Sequence, residues 1–108
     1  MIQDLAEKSC LLLKPSGRIC LGGKLPELQA DIQEALKTER PKVVVDLSGV
    51  DYMDSSGLGE IVRLYLESKK KGKSLVLAAV PPQLGKVLKS SKLDRVFTVV
   101  ETVEKALA

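Results

Sequence analysis

Histidine and tryptophan are absent from the 108 residues, and aromatic side chains are limited to Tyr52, Tyr65 and Phe97. Without imidazole, a Ser-His or Cys-His nucleophile pair and a zinc site built on histidine are excluded. Three aromatic rings are too few for a platform on which the bases of a single strand stack. They also leave the core to Leu, Val, Ile and Ala. Cysteine is equally scarce: Cys10 and Cys20 are the only two, and they form no Cys-x-x-Cys motif. The chain starts Met1-Ile2-Gln3-Asp4, with no basic region followed by an apolar one. That start predicts a cytoplasmic protein in which both cysteines are unpaired thiols. No apolar run approaches the ~20 residues of a membrane span. A Gly-x-x-x-x-Gly-Lys loop is missing, and Gly17, Gly22 and Gly23 lack the spacing of a dinucleotide fingerprint.

What is present suits one soluble α/β domain over residues 1–108, long enough to close a single core and too short for two. Seventeen basic residues are interleaved with fourteen acidic ones, for a formal charge of +3. The one local concentration is Lys69, Lys70, Lys71 and Lys73. Followed or split by Gly72, such a run matches the cationic end of a helix. The other reading is an anion-binding patch.

Apolar residues at 10–14 and 18–21 flank Pro15-Ser16-Gly17, a turn sequence, and predict a hairpin of two strands. Pro26 suits the first turn of a helix whose Leu25, Leu28, Ile32, Ala35 and Leu36 share one face, ending before Pro41. Residues 42–47 contain three consecutive valines, as in a strand buried on both faces. A second helix is expected from Ser55 or Ser56 to Lys71, with Leu58, Ile61, Val62 and Tyr65 as its apolar stripe. Residues 74–80 read as another buried strand. Pro81-Pro82 open a third helix carrying Leu84, Val87 and Leu88. A strand over 96–100 and a short helix with Val103, Ala106 and Leu107 close the chain. This order predicts a mixed, mostly parallel sheet with an N-terminal hairpin and helices mainly on one face.

The segment 43–59 holds the chemistry. A buried strand passes through a short loop into a helix that starts Asp54-Ser55-Ser56-Gly57-Leu58-Gly59. Asp54 or Ser55 can accept a hydrogen bond from the free N–H groups of the first helical turn. Helix capping alone would account for both. Gly57 and Gly59, however, each cost helix stability that a cap does not require. They are expected to keep the turn bare, so that another molecule can approach its backbone.

This segment resembles the signature of the STAS domain, the module of sulfate-transporter tails and anti-sigma factor antagonists. In the antagonists the strand leads to Asp-Ser-Ser/Ala/Thr-Gly-Leu-Gly, and the serine directly after the aspartate is phosphorylated. That serine is Ser55 here, and Asp54, Ser56, Gly57, Leu58 and Gly59 match the rest of the motif. The order of elements and the stretch Lys92-Leu93-Asp94-Arg95-Val96-Phe97 are similar as well. One position departs: many antagonists have Gly-x-x-Asp at the end of the second strand, where this chain has Gly17-Arg18-Ile19-Cys20.

The resemblance implies a non-enzymatic switch without a cofactor. Its unphosphorylated form would bind an anti-sigma factor that is also an ATP-dependent serine kinase, freeing a sigma factor. Phosphorylation of Ser55 would release it, and a serine phosphatase would reset it. Asp54, Ser56, Gly57, Leu58 and Gly59 would form the partner surface, with no direct role for nucleic acid. The alternative is a non-switching STAS scaffold or accessory subunit of a sensory or transporter complex. An enzyme using Ser55 as nucleophile would need a base, and the lysines all stand in polar stretches.

Overall fold

The computed structural model describes residues 2–5 and 9–107. Met1 and Ala108, the limits of the expected domain, lie outside them. Strands β1 (Ile2–Leu5), β2 (Cys10–Leu13), β4 (Lys42–Asp46), β6 (Ser74–Ala78) and β7 (Thr98–Val100) form a sheet in the order β1-β2-β4-β6-β7. A separate two-stranded ribbon joins β3 (Gly17–Ile19) and β5 (Val50–Met53) in parallel. The helices are α1 (Leu25–Lys37), α2 (Ser55–Lys70), α3 (Pro82–Ser90) and α4 (Val103–Leu107).

Apart from the antiparallel pair β1–β2, the main sheet is parallel, as the alternation of helices and strands predicts. Its central strands are buried on both faces. Leu11, Leu13, Val43, Val45, Leu75 and Leu77 pack with α1, α2 and α3 on one side. Cys10, Leu12, Val44, Val76 and Ala78 pack with Ala106 of α4 on the other. Period-two alternation thus sends successive valines of β4 into opposite layers, and all three are fully buried. Three helices cover one face and a single short one covers the other.

The predicted hairpin between 10–14 and 18–21 does not form. Both edges of β2 are occupied, by β1 and by β4, so no edge remains for β3. The turn at Pro15-Ser16-Gly17 instead redirects the chain. Gly17 adopts φ +78°, which glycine accepts without a Cβ penalty, and donates its N–H to Gly49 O at 2.9 Å. The N-terminal antiparallel pair is therefore built from β1 and β2, and β3 is freed to pair with β5.

Helix α1 buries Leu25, Leu28, Ile32 and Ala35, with Leu36 partly covered, along the predicted face. The lysine run ends α2 as expected and also binds the neighbouring helix. Lys71 Nζ donates to Leu36 O at 3.1 Å, and Lys73 Nζ donates to Thr38 O and Arg40 O at 2.7 Å each. These ammoniums satisfy carbonyls that the end of α1 leaves without helical partners. Cys10 and Cys20 are free thiols, the first buried and the second half-exposed. Burial pushes the Cys10 thiol above its usual pKa, with Lys42 opposing.

Candidate functional site

The site is assembled where β4 and β5 hand over to α2. Asp46, at the end of β4, accepts the Ser48 N–H at 3.0 Å, and Val50 N–H donates to Leu47 O at 3.1 Å. This tight turn returns the chain as β5, the ribbon strand missing from the sequence reading. β5 delivers Asp54 in an extended conformation, φ −90° and ψ −175°.

Asp54 makes three anchoring bonds. Its N–H donates to Ile19 O at 3.3 Å, tying the loop to the end of β3. Its carbonyl accepts the Leu58 N–H at 3.0 Å, the first bond of α2. Its Oδ1 accepts the Gly57 N–H at 3.0 Å. Asp54 is therefore the N-cap, and the choice left open between Asp54 and Ser55 is resolved.

With the cap supplied by its neighbour, Ser55 is free. It is the first residue of α2, it is exposed, and its hydroxyl takes part in no hydrogen bond among the described residues. Ser56 and Leu58 are half-buried, Leu58 against the main core. Gly59 is exposed, and a Cβ added there would meet nothing within 4 Å.

Gly57 corrects the sequence reading. It is buried, and a Cβ there would lie 2.6 Å from Ile19 O and 2.8 Å from both Ile19 Cγ2 and Met53 Cγ. The missing side chain lets α2 close onto the β3–β5 ribbon, so Gly57 offers no surface of its own to a partner. The buried stripe of α2 is Gly57, Ile61, Leu64 and Ser68, while Leu58, Val62 and Tyr65 flank it. Helical spacing carried that signal, because Gly57 stands four and seven residues before Ile61 and Leu64.

The surroundings are mixed in character. The Arg18 guanidinium lies 4.6 Å from the centre of the Tyr52 ring, on the outer side of the ribbon. Between β5 and the start of α3 runs a groove of ≈ 510 Å³ lined by Val50, Tyr52, Met53, Pro81, Leu84 and Val87, among others. Cys20 follows Ile19, so the departure from the family pattern falls beside the carbonyl that anchors Asp54. Among the described residues, no group of His, Cys, Asp and Glu is arranged to hold a metal ion. No described helix is long and apolar enough to cross a membrane.

The start of α2 thus presents a serine hydroxyl without a hydrogen bond among the described residues, capped by the preceding aspartate and carried on a mixed α/β sheet. The family model of the STAS domain matches residues 2–106, and the chain belongs to the STAS domain family. Its fold is that of several solved antagonists. A candidate anti-sigma factor antagonist from Thermotoga maritima superposes with a TM-score of 0.87 at 20% identity, over 99% of this chain and 90% of that one. An anti-sigma factor antagonist from Mycobacterium paratuberculosis gives 0.82 at 25% identity, over 99% and 88%. The Bacillus cell fate determinant SpoIIAA, in its phosphorylated form, gives 0.74 at 17% identity, over 97% and 94%.

Proposed function

We propose that this chain is an anti-sigma factor antagonist switched by phosphorylation of Ser55. The observation that carries the reading is the division of labour at the start of α2. Asp54 caps the helix, and the exposed Ser55 hydroxyl makes no hydrogen bond among the described residues. A serine serving only as a cap would be engaged with the backbone.

The unphosphorylated form binds a cytoplasmic serine kinase that is also an anti-sigma factor, and so frees the sigma factor. The kinase brings ATP and magnesium, and this chain performs no catalysis. Asp54, Ser56, Leu58 and Gly59 form the contact surface around Ser55, and Gly57 supports it from beneath. A serine phosphatase restores the hydroxyl. The likeness in fold to antagonists, one of them solved in a phosphorylated form, supports this assignment.

The test is direct. Purified protein is incubated with ATP, magnesium and an anti-sigma serine kinase from the same organism, and the phosphate is mapped by mass spectrometry. Modification of Ser55 alone is expected. Phosphate on Ser56, or none with any such kinase, would overturn the assignment.

A further inference from the structure

The lysine run does more than end a helix. Ser55 opens α2 and Lys69–Lys70 close it, and at 1.5 Å per residue the two ends stand roughly 20 Å apart. At the far end, where β4, β6 and β7 begin, lies a cavity of ≈ 480 Å³. Lys42, Lys69, Lys73, Ser74, Thr98 and Tyr65 line it, together with apolar residues, and no carboxylate is among the lining residues. Three lysine side chains therefore line one space, and no acidic residue is among its lining residues.

One of the ammoniums is held by backbone carbonyls. Lys73 Nζ is fixed by the carbonyls of Thr38 and Arg40, which use two of its three donors. Lys69 Nζ sits 5.9 Å from the centre of the Tyr65 ring, itself held edge-on against Phe97. Ser74 and Thr98 are exposed, and their hydroxyls make no hydrogen bond among the described residues. Burial and the charge of Lys71 hold the Lys73 ammonium below the usual lysine pKa, with Glu39 opposing.

We infer that this cavity is a binding site for a phosphate group, separate from Ser55 and independent of the partner switch. The lysines lining the cavity can supply charge-assisted hydrogen bonds to phosphate oxygens, and the two hydroxyls neutral ones. The apolar lining leaves room for whatever the phosphate is attached to. Soluble phosphate esters and lipid headgroups share this chemistry.

Pyrophosphate is the probe, titrated at constant ionic strength while backbone amide resonances are followed. A saturable shift at Ser74 and Thr98, complete below about 10 mM, is expected. Lys42→Met and Lys69→Met should each weaken binding about tenfold. Lys70→Met removes the same charge from the same helical turn, but its side chain lies outside the cavity lining. It should change affinity less than about twofold. Flotation with phosphatidic acid vesicles, against phosphatidylcholine vesicles, separates the two sources. Lys69-dependent flotation assigns the site to a headgroup, and pyrophosphate binding without flotation assigns it to a soluble ester. Absence of any saturable shift, or equal losses for Lys69→Met and Lys70→Met, would overturn the inference.

Discussion

The two glycines of the α2 start, two positions apart, face opposite worlds. Gly57 is pressed against Ile19 and Met53, where even one added carbon would collide with backbone. Gly59 looks into open space. The same motif thus serves two purposes: its inner side seats the helix on the β3–β5 ribbon, and its outer side leaves the approach to Ser55 unobstructed. A glycine in a functional motif is therefore not evidence of partner contact until its direction is known.

The largest effect should come from the inner side. Gly57→Val places atoms within 2.6–2.8 Å of Ile19 and Met53. Overpacking of this kind costs about 3 kcal/mol. In a domain of this size that lowers the thermal midpoint by roughly 12–20 °C. A variant that melts like the wild type would show that α2 is not seated as described.

Next in size is the cap. Asp54→Ala removes the acceptor for the Gly57 N–H and should cost about 1 kcal/mol, readable as a shift in the denaturant midpoint at unchanged slope. Ser55→Ala should stay within about 0.5 kcal/mol of wild type, since the exposed hydroxyl makes no hydrogen bond among the described residues. Equal destabilisation by the two substitutions would mean that Ser55 shares the capping, and the free-hydroxyl argument would fall.

One further effect on stability has the opposite sign. Gly59→Ala puts a methyl group into open space on a helical residue and should stabilise the domain by about 0.5–1 kcal/mol. If the outer side receives the kinase, the same variant should bind it more weakly. A gain in stability with unchanged affinity would move the contact surface away from Gly59.

Much of this arrangement was legible in the sequence. Pro26 and the Leu25–Leu28–Ile32–Ala35 spacing placed α1, and three valines in a row identified a strand covered on both faces. The ends of α2 followed from its Asp-Ser start and its Lys-Gly finish. β1 and β5 were not legible, for a common reason. Each is four residues long with exposed residues at its centre, Gln3 and Asp4 in one and Asp51 and Tyr52 in the other, so neither shows a buried alternation. Their strand conformation comes from pairing with β2 and β3, which is tertiary information. The hairpin error has the same origin. The turn at Pro15-Ser16-Gly17 is real, but no local signal tells which edge of β2 is already taken. Within the site, Asp54 and Ser55 were interchangeable as caps on sequence grounds. Only the 3.0 Å bond from Gly57 N–H to Asp54 Oδ1 distinguishes them.

The central claim is that phosphate on Ser55 acts on the complex and not on the fold. A phosphoserine carries roughly −1.5 to −2 charges at neutral pH. At the first position of α2 that charge meets a favourable helix dipole worth about 0.3–1 kcal/mol. The carboxylate of the capping Asp54 opposes it by a solvent-screened amount of similar order. Intrinsic stability should barely move. In a complex, the same charge must be desolvated against a surface that fits a hydroxyl, and a penalty of about 3 kcal/mol lowers affinity roughly a hundredfold. The most direct measurement is calorimetric titration of the anti-sigma kinase with the unmodified and Ser55-phosphorylated protein, alongside thermal melts of both. About a hundredfold weaker binding at an unchanged melting midpoint is the expected result. Equal affinity for the two forms, or a phosphorylated protein that melts far below the unmodified one, would contradict it.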